Sequence, residues 1–272
     1  MDLFRIFGTT KPVIAMLHAP PLPGSPRSVM SFDRIVESVL KDAETLAAGG
    51  VDGFLVENFG DAPYFPRRVP AHTVSFLTAL SLEVRRRFAL PLGVNILRND
   101  AASALAVAAA VGAQFVRVNV YVGARLTDQG MIEGVAHHVL RYRKFLGSDV
   151  RVFADADVKH SAPLASRDLS QEVEEIFSRG CADAVIITGA ATGKQILLDD
   201  LKTAKGAAGG SAVIAGSGVD PKNAVAVLGV ADAAIVGTAL KRNGVVANPV
   251  DAERVRELMN VVKSLRDDFK AP

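Results

Sequence analysis

"VIAGSGVDPKNA" (residues 213–224) runs from an apolar segment through Gly-Ser-Gly to a helix start at Asp220-Pro221. A tight turn would account for it. A cradle for a phosphate would account for it as well, because glycines let backbone amides approach an anion closely. The choice depends on what surrounds the segment. Directly after it, "AAIVGTALKRNG" (233–244) has the same layout: an apolar run, then Gly-Thr, with Thr238 placed to open a short extra helix.

Toward the N-terminus the same alternation recurs. Apolar runs lie at 13–17, 53–57, 92–96, 115–120, 151–156, 184–188, 212–216 and 233–237. Amphipathic, helix-like segments follow them at 31–48, 72–88, 100–111, 133–145, 168–179, 195–207, 221–228 and 251–268. Ser31, Asp100 and Asp220-Pro221 supply start signals. Eight such units in 272 residues predict a single (β/α)8 barrel domain over 1–272. "AGGVDGFLVEN" (48–58), "VGAQFVRVN" (111–119), "RGCADAVIITG" (179–189) and "LGVADAAIVGT" (228–238) repeat a glycine, a short bridge and a strand. The glycine is expected to form the left-handed cap that turns each helix back into the sheet. A recurrence at every second strand suits a closed barrel better than an open sheet.

Composition narrows the partners. With 31 basic and 29 acidic residues, there is no electrostatic case for nucleic acid or an anionic membrane surface. Tryptophan is absent, and the single cysteine, Cys181, precludes an intramolecular disulfide. "MDLFRIFGTTKP" (1–12) lacks the features of a secretory signal, and "AASALAVAAAVGA" (101–113) is too short to span a bilayer. A cytoplasmic protein with a small-molecule substrate is expected. The sequence is compatible with a homo-oligomer but marks no interface for one.

Strand residues alternate between the inside of a barrel and its helix-covered outside, so polar ones should point inward. His18, Glu57, Asn95, Arg117, Asn119, Asp155, Asp157 and Thr188 all fall at or just past the C-terminal ends of strands. Barrel enzymes build their sites at that end. The phosphate reading places the anion on Gly216, Ser217, Gly218, Gly237 and Thr238, with donors from the amides of Gly218 and of Gly237 or Thr238 and from the Ser217 hydroxyl. The loop "TGAATGKQ" (188–195), with Lys194, reads either as a hinged lid or as a flexible turn with a solvated lysine.

"FADADVKH" (153–160) offers the chemistry. Asp155 and Asp157, two apart, are expected to share a face with Lys159 and could divide acid and base roles. With Glu57 they could also hold a divalent cation, although no His/Cys/Asp spacing marks a metal site and no organic cofactor is expected. Otherwise Asp157 caps a turn and Lys159 is solvated. A glutamate ending "FLVE" must be used or paired, and a Glu57–Arg117 ion pair is the structural alternative. His18 is a candidate proton shuttle or a hydrogen-bonded wall residue. Asp128, in "LTDQGMIEG" (126–134), marks a substrate loop. Asn95, Arg117, Asn119, Lys159 and Thr188 are expected to orient substrate. No nucleophile elbow, dinucleotide fingerprint or P-loop is present.

"MLHAPPLPGSPR", "GVDGFLVENFGDAPYF", "PLGVNILRNDA", "VRVNVYVGARLTDQGMIEG" and "FADADVKHSAP" together resemble the BtpA/SgcQ family over about residues 11–240. That family is named for a factor needed for photosystem I accumulation, and its members are placed among ribulose-phosphate-binding barrels. The resemblance implies the barrel and a phosphate site. It also implies a likeness to phosphoribosylanthranilate isomerase, whose base is a cysteine after strand one and whose acid is an aspartate after strand five. Asp155 matches the acid. Strand one ends "AMLHAPP" with no cysteine, so His18 would have to replace the base. The leading expectation is an isomerase, epimerase, lyase or nucleosidase-like enzyme acting on a sugar or ribosyl phosphate. The alternatives are a non-catalytic assembly factor and a ligand sensor.

Overall fold

The computed structural model describes residues 3–189 and 197–270. Its barrel strands are β1 (Val13–His18), β2 (Gly53–Glu57), β3 (Leu92–Asn95), β4 (Phe115–Val118), β7 (Arg151–Ala156), β9 (Ala184–Ile187), β10 (Ala212–Ala215) and β11 (Ala233–Val236). They are all parallel and close in the order β1-β11-β10-β9-β7-β4-β3-β2. Helices α2 (Phe32–Gly49), α3 (Ala71–Arg87), α4 (Ala101–Val111), α5 (Ala136–Phe145), α6 (Leu169–Ser178), α7 (Leu198–Ala207), α8 (Ala224–Val230) and α9 (Ala252–Lys270) follow the strands. The (β/α)8 reading is correct. Lys194 and residues 190–195 of its loop lie outside the described residues.

Every strand obeys the period of two. Val13, Ala15 and Leu17 face α2 and its neighbours, whereas Ile14 and Met16 face the barrel interior. The interior is built in layers. At its N-terminal end, Leu3 and Phe7, at and in the short helix α1 (Phe4–Phe7), plug the floor, and the Phe7 ring lies 5.9 Å from that of Phe115. Above it, Phe115 stacks on Phe153 at 4.6 Å. The Phe115 ring needs Gly93 as its neighbour, since a Cβ at Gly93 would lie 2.1 Å from Cε2 of the ring. Two residues further along the strands the interior turns polar, with His18, Glu57, Asn95, Arg117 and Asp155 at the mouth. The apolar floor and the covered outer face leave this layer as the one place where strand polar groups gather.

Three expectations change. The segment expected to begin a helix at 133 is instead a hairpin, β5 (Ala124–Thr127) and β6 (Gly130–Glu133), with α5 starting at Ala136. Gly130, at φ 93°, and the Thr127 hydroxyl, which donates to Gly130 O at 2.9 Å, close its turn. Strand β8 (Ser161–Pro163) pairs with β5 to complete a three-stranded antiparallel sheet. Helix α8 begins at Ala224 rather than 221, because Asp220 binds the amides of Lys222 and Asn223 in a preceding turn. Of the repeated helix-ending glycines, Gly50 and Gly112 are left-handed. In the third repeat Cys181 takes that conformation, and the fourth repeat passes from α8 into extended Ala231.

Candidate functional site

The barrel mouth contains a cavity of about 230 Å³, lined on one side by His18, Glu57, Arg117 and Lys159. Its other side is formed by the loops after β10 and β11, with Gly216, Ser217, Gly218 and Val219 facing Gly237, Thr238 and Ala239. The two candidate regions of the sequence therefore meet across one space.

The loop side presents donors. The backbone amides of Gly218, Val219, Thr238 and Ala239 donate to no other group among the described residues. Unpaired amides at this density are anion-seeking, because each carries a partial positive charge with no acceptor. Gly218 sits at φ 66°, in the left-handed region open to glycine. Gly237 is held free of a side chain by His18, whose Cε1 would lie 2.9 Å from an added Cβ. The Ser217 oxygen accepts from the Gly189 amide at 2.9 Å, which leaves its proton to donate. Thr238 begins the expected short helix, a 3-10 turn over Thr238–Leu240.

Arg254 adds a charge that sequence reasoning missed. It lies in the first turn of α9, lines the cavity and donates to Ala239 O at 3.0 Å. It makes no ion pair among the described residues. No local motif marks it, since it lies on a helix outside the Gly-Ser-Gly and Gly-Thr loops, fifteen positions from Ala239.

On the opposite wall, Glu57 is 6% exposed and accepts from Asn95 Nδ2 at 2.5 Å through Oε2. Its Oε1 lies 3.9 Å from His18 Nε2. Burial, with Lys241, Lys159 and Arg117 nearby, pushes the His18 imidazole down to about 3, so it is neutral at pH 7. His18 Nδ1 is buried without a hydrogen-bond partner among the described residues. Burial and the Arg117 charge also lower the Lys159 ammonium, against the opposing pull of Glu57 and Asp155. Lys159 makes no ion pair among the described residues. The cavity thus combines an anchored carboxylate, a neutral imidazole and a weakened ammonium.

Several expected site residues have a supporting place. Asp155 does not face the cavity. Arg117 Nε donates to both its oxygens at 3.1 Å, Arg117 Nη2 donates at 3.0 Å, and Asn119 Nδ2 donates at 2.7 Å. A carboxylate so occupied holds Arg117 in place. The alternative Glu57–Arg117 pair does not form. Asn95 and Asn119 act on Glu57 and Asp155 respectively. Thr188 accepts the Lys159 amide at 3.3 Å and so positions that loop.

Asp157 does not share the Asp155 face. The strand ends at Ala156, Asp157 turns to φ 47°, and its exposed carboxylate pairs with Arg125 at 2.5 Å. Asp128 is exposed in the hairpin turn, where it accepts from Gln129. The cation set of Glu57, Asp155 and Asp157 is not assembled, and among the described residues no group of three or more His, Cys, Asp or Glu side chains could hold a metal.

Residues 9–264 match the BtpA family. The chain belongs to the BtpA family. It is similar to the photosystem I biogenesis protein BtpA of Synechocystis, at 46% identity over 94% of this chain and 89% of that protein. Among solved structures, the BtpA-family barrel resembles thiamine phosphate pyrophosphorylase from Pyrococcus furiosus, with a TM-score of 0.59 and 14% identity, covering 97% of this chain and 99% of that one. It also resembles N-(5'-phosphoribosyl)anthranilate isomerase from the same organism, with a TM-score of 0.57 and 14% identity, covering 93% and 99%. At such identities these likenesses speak to the fold. In the BtpA-family chain, no helix of the described residues is long and apolar enough to cross a membrane.

Proposed function

We propose that this protein is an enzyme that moves a proton on a small phosphorylated metabolite, a sugar or ribosyl phosphate. One observation carries the reading: unpaired amides from two loops, with the Arg254 guanidinium, which has no carboxylate partner among the described residues, share a cavity with Glu57, His18 and Lys159. A phosphate would accept from Gly218, Val219, Thr238 and Ala239, with Ser217 and Arg254 completing its shell. The rest of the substrate would then extend toward Glu57. That carboxylate takes a proton from carbon, and Lys159 and Arg117 stabilise the negative charge that develops on the neighbouring oxygen. Neutral His18 can donate through one nitrogen and accept through the other, which suits it to return the proton elsewhere. Isomerisation and epimerisation both pass through this step. A reducing, cytoplasmic location belongs to the same reading and is supported by the exposed, lone Cys181.

The test is solvent exchange. The protein is incubated in heavy water with a panel of phosphorylated aldoses and ketoses, and the products are weighed by mass spectrometry. The expected result is deuterium incorporation into one panel member by the natural protein and none by Glu57→Gln. Phosphate binding without exchange into any member would overturn the enzymatic reading.

A second reading, an assembly factor, is favoured by the name of the Synechocystis relative and by one surface. Leu126 pairs across the sheet with both Met131 and Ala162, so the three share an outward face, and Leu126 and Met131 are about half exposed. This reading predicts that Glu57→Gln retains full biological function while Leu126→Asp with Met131→Lys loses it.

A further inference from the structure

A second cavity, of about 490 Å³, lies beside the first, and His18 lines both. Its character is different. Pro20 and Pro21 from the loop after β1, Phe59 and Tyr64 from the loop after β2, and Val246 and Pro249 from the loop after β11 form much of its wall. The polar groups in this wall are mostly occupied. Tyr64 donates its hydroxyl to Phe59 O at 2.6 Å. Lys241 and Asp42 neutralise one another at 2.6 Å, with side chains 4% and 14% exposed. Arg27, the remaining cation of this wall, is exposed to solvent.

The wall is also preformed. A Cβ at Gly60 would lie 2.3 Å from Pro21 N, so the loops after β1 and β2 are in direct contact. The His18 ring packs against Phe59 at 4.6 Å, and its Nδ1 stays without a partner although the side chain is only 9% exposed.

We infer that the apolar chamber beyond His18 receives a flat apolar ring carried by the same ligand whose phosphate the β10 and β11 loops hold. The ligand class is then a phosphate ester with an aromatic or similarly apolar substituent, passing His18 between its two ends. This inference rests on the phosphate reading above and narrows it. Ligand sites of this kind are concave and largely apolar, with a few convergent polar groups fixing orientation. Here the apolar and polar parts are separated into two adjoining spaces, which dictates a bipartite ligand.

Calorimetric titration with a graded series tests it. Methyl phosphate probes the cradle alone; phenyl, benzyl, 2-phenylethyl and 4-phenylbutyl phosphate probe the reach to the chamber. The expected result is that at least one ring-bearing ester binds about tenfold to a hundredfold more tightly than methyl phosphate, the gain for burying one ring. Ser38→Phe on α2 and Ala247→Phe in the loop after β11 each place a ring in the chamber from a different element. Each should erase that gain and leave methyl phosphate affinity unchanged. If methyl phosphate binds but no ester gains, or the gain survives both variants, the chamber assignment is wrong. If methyl phosphate does not bind at all, the cradle itself fails, and this inference fails with it.

Discussion

Asn95 and Glu57 are register partners on adjacent parallel strands, and Asn95 Nδ2 donates to Glu57 Oε2 at 2.5 Å. One carboxylate oxygen is thereby fixed, and the other is turned toward His18. A freely rotating Glu57 would lose that direction. Asn95→Ala is therefore expected to lower kcat by about tenfold to a hundredfold with KM little changed, as for loss of a positioning contact. Asn95→Asp should be worse, because it places a second carboxylate against the first. An Asn95→Ala variant with full turnover would remove Glu57 from the proposed chemistry.

Asp155 gives a prediction about stability. Its carboxylate is fully buried and shared by Arg117 and Asn119. Asp155→Ala strands a buried guanidinium and is expected to cost about 3–5 kcal/mol in urea unfolding. Arg117→Met combined with Asp155→Leu removes both charges and should recover much of that loss. If Asp155→Ala were as stable as the natural protein and merely inactive, Asp155 would be a reacting group after all.

His18 sets a pH dependence. Its imidazole is held at about 3 when folded, against 6.5 for the free group, with burial the largest cause. The unfolded chain then binds a proton that the folded chain refuses. The stability from this site is complete above pH 6.5 and is lost as pH falls from there toward 3. The slope is at most about 1.4 kcal/mol per pH unit for one linked proton. His18→Gln should flatten the difference between pH 6.5 and 4 in chemical denaturation. An unchanged slope would mean that His18 is protonated in the folded state.

Much of this was legible in the sequence for one physical reason. A barrel strand under helices has an apolar outer face, so a polar residue at its C-terminal end must face the barrel interior. Glu57, Asn95, Arg117 and Asp155 obey that rule. Asp157 does not, because the period of two stops where the strand stops, at Ala156. The rule also gives the layer and not the partner: which carboxylate Arg117 would choose depended on the neighbouring strand's register. Arg254 left no local pattern, as it reaches the cradle from a helix remote in sequence from the Gly-Ser-Gly loop. The hairpin at 124–133 did leave a signal, since Thr-Asp-Gln-Gly between alternating residues is a turn sequence.

The central claim is that the loops after β10 and β11 hold a phosphate. Crystals soaked in arsenate, a phosphate mimic with an anomalous signal, test it most directly. The account predicts an anomalous peak within hydrogen-bond distance of the Gly218 and Thr238 amides, next to Arg254, reduced or absent in Arg254→Ala. Arsenate bound elsewhere on the molecule, with no density between Gly218 and Thr238, would contradict it.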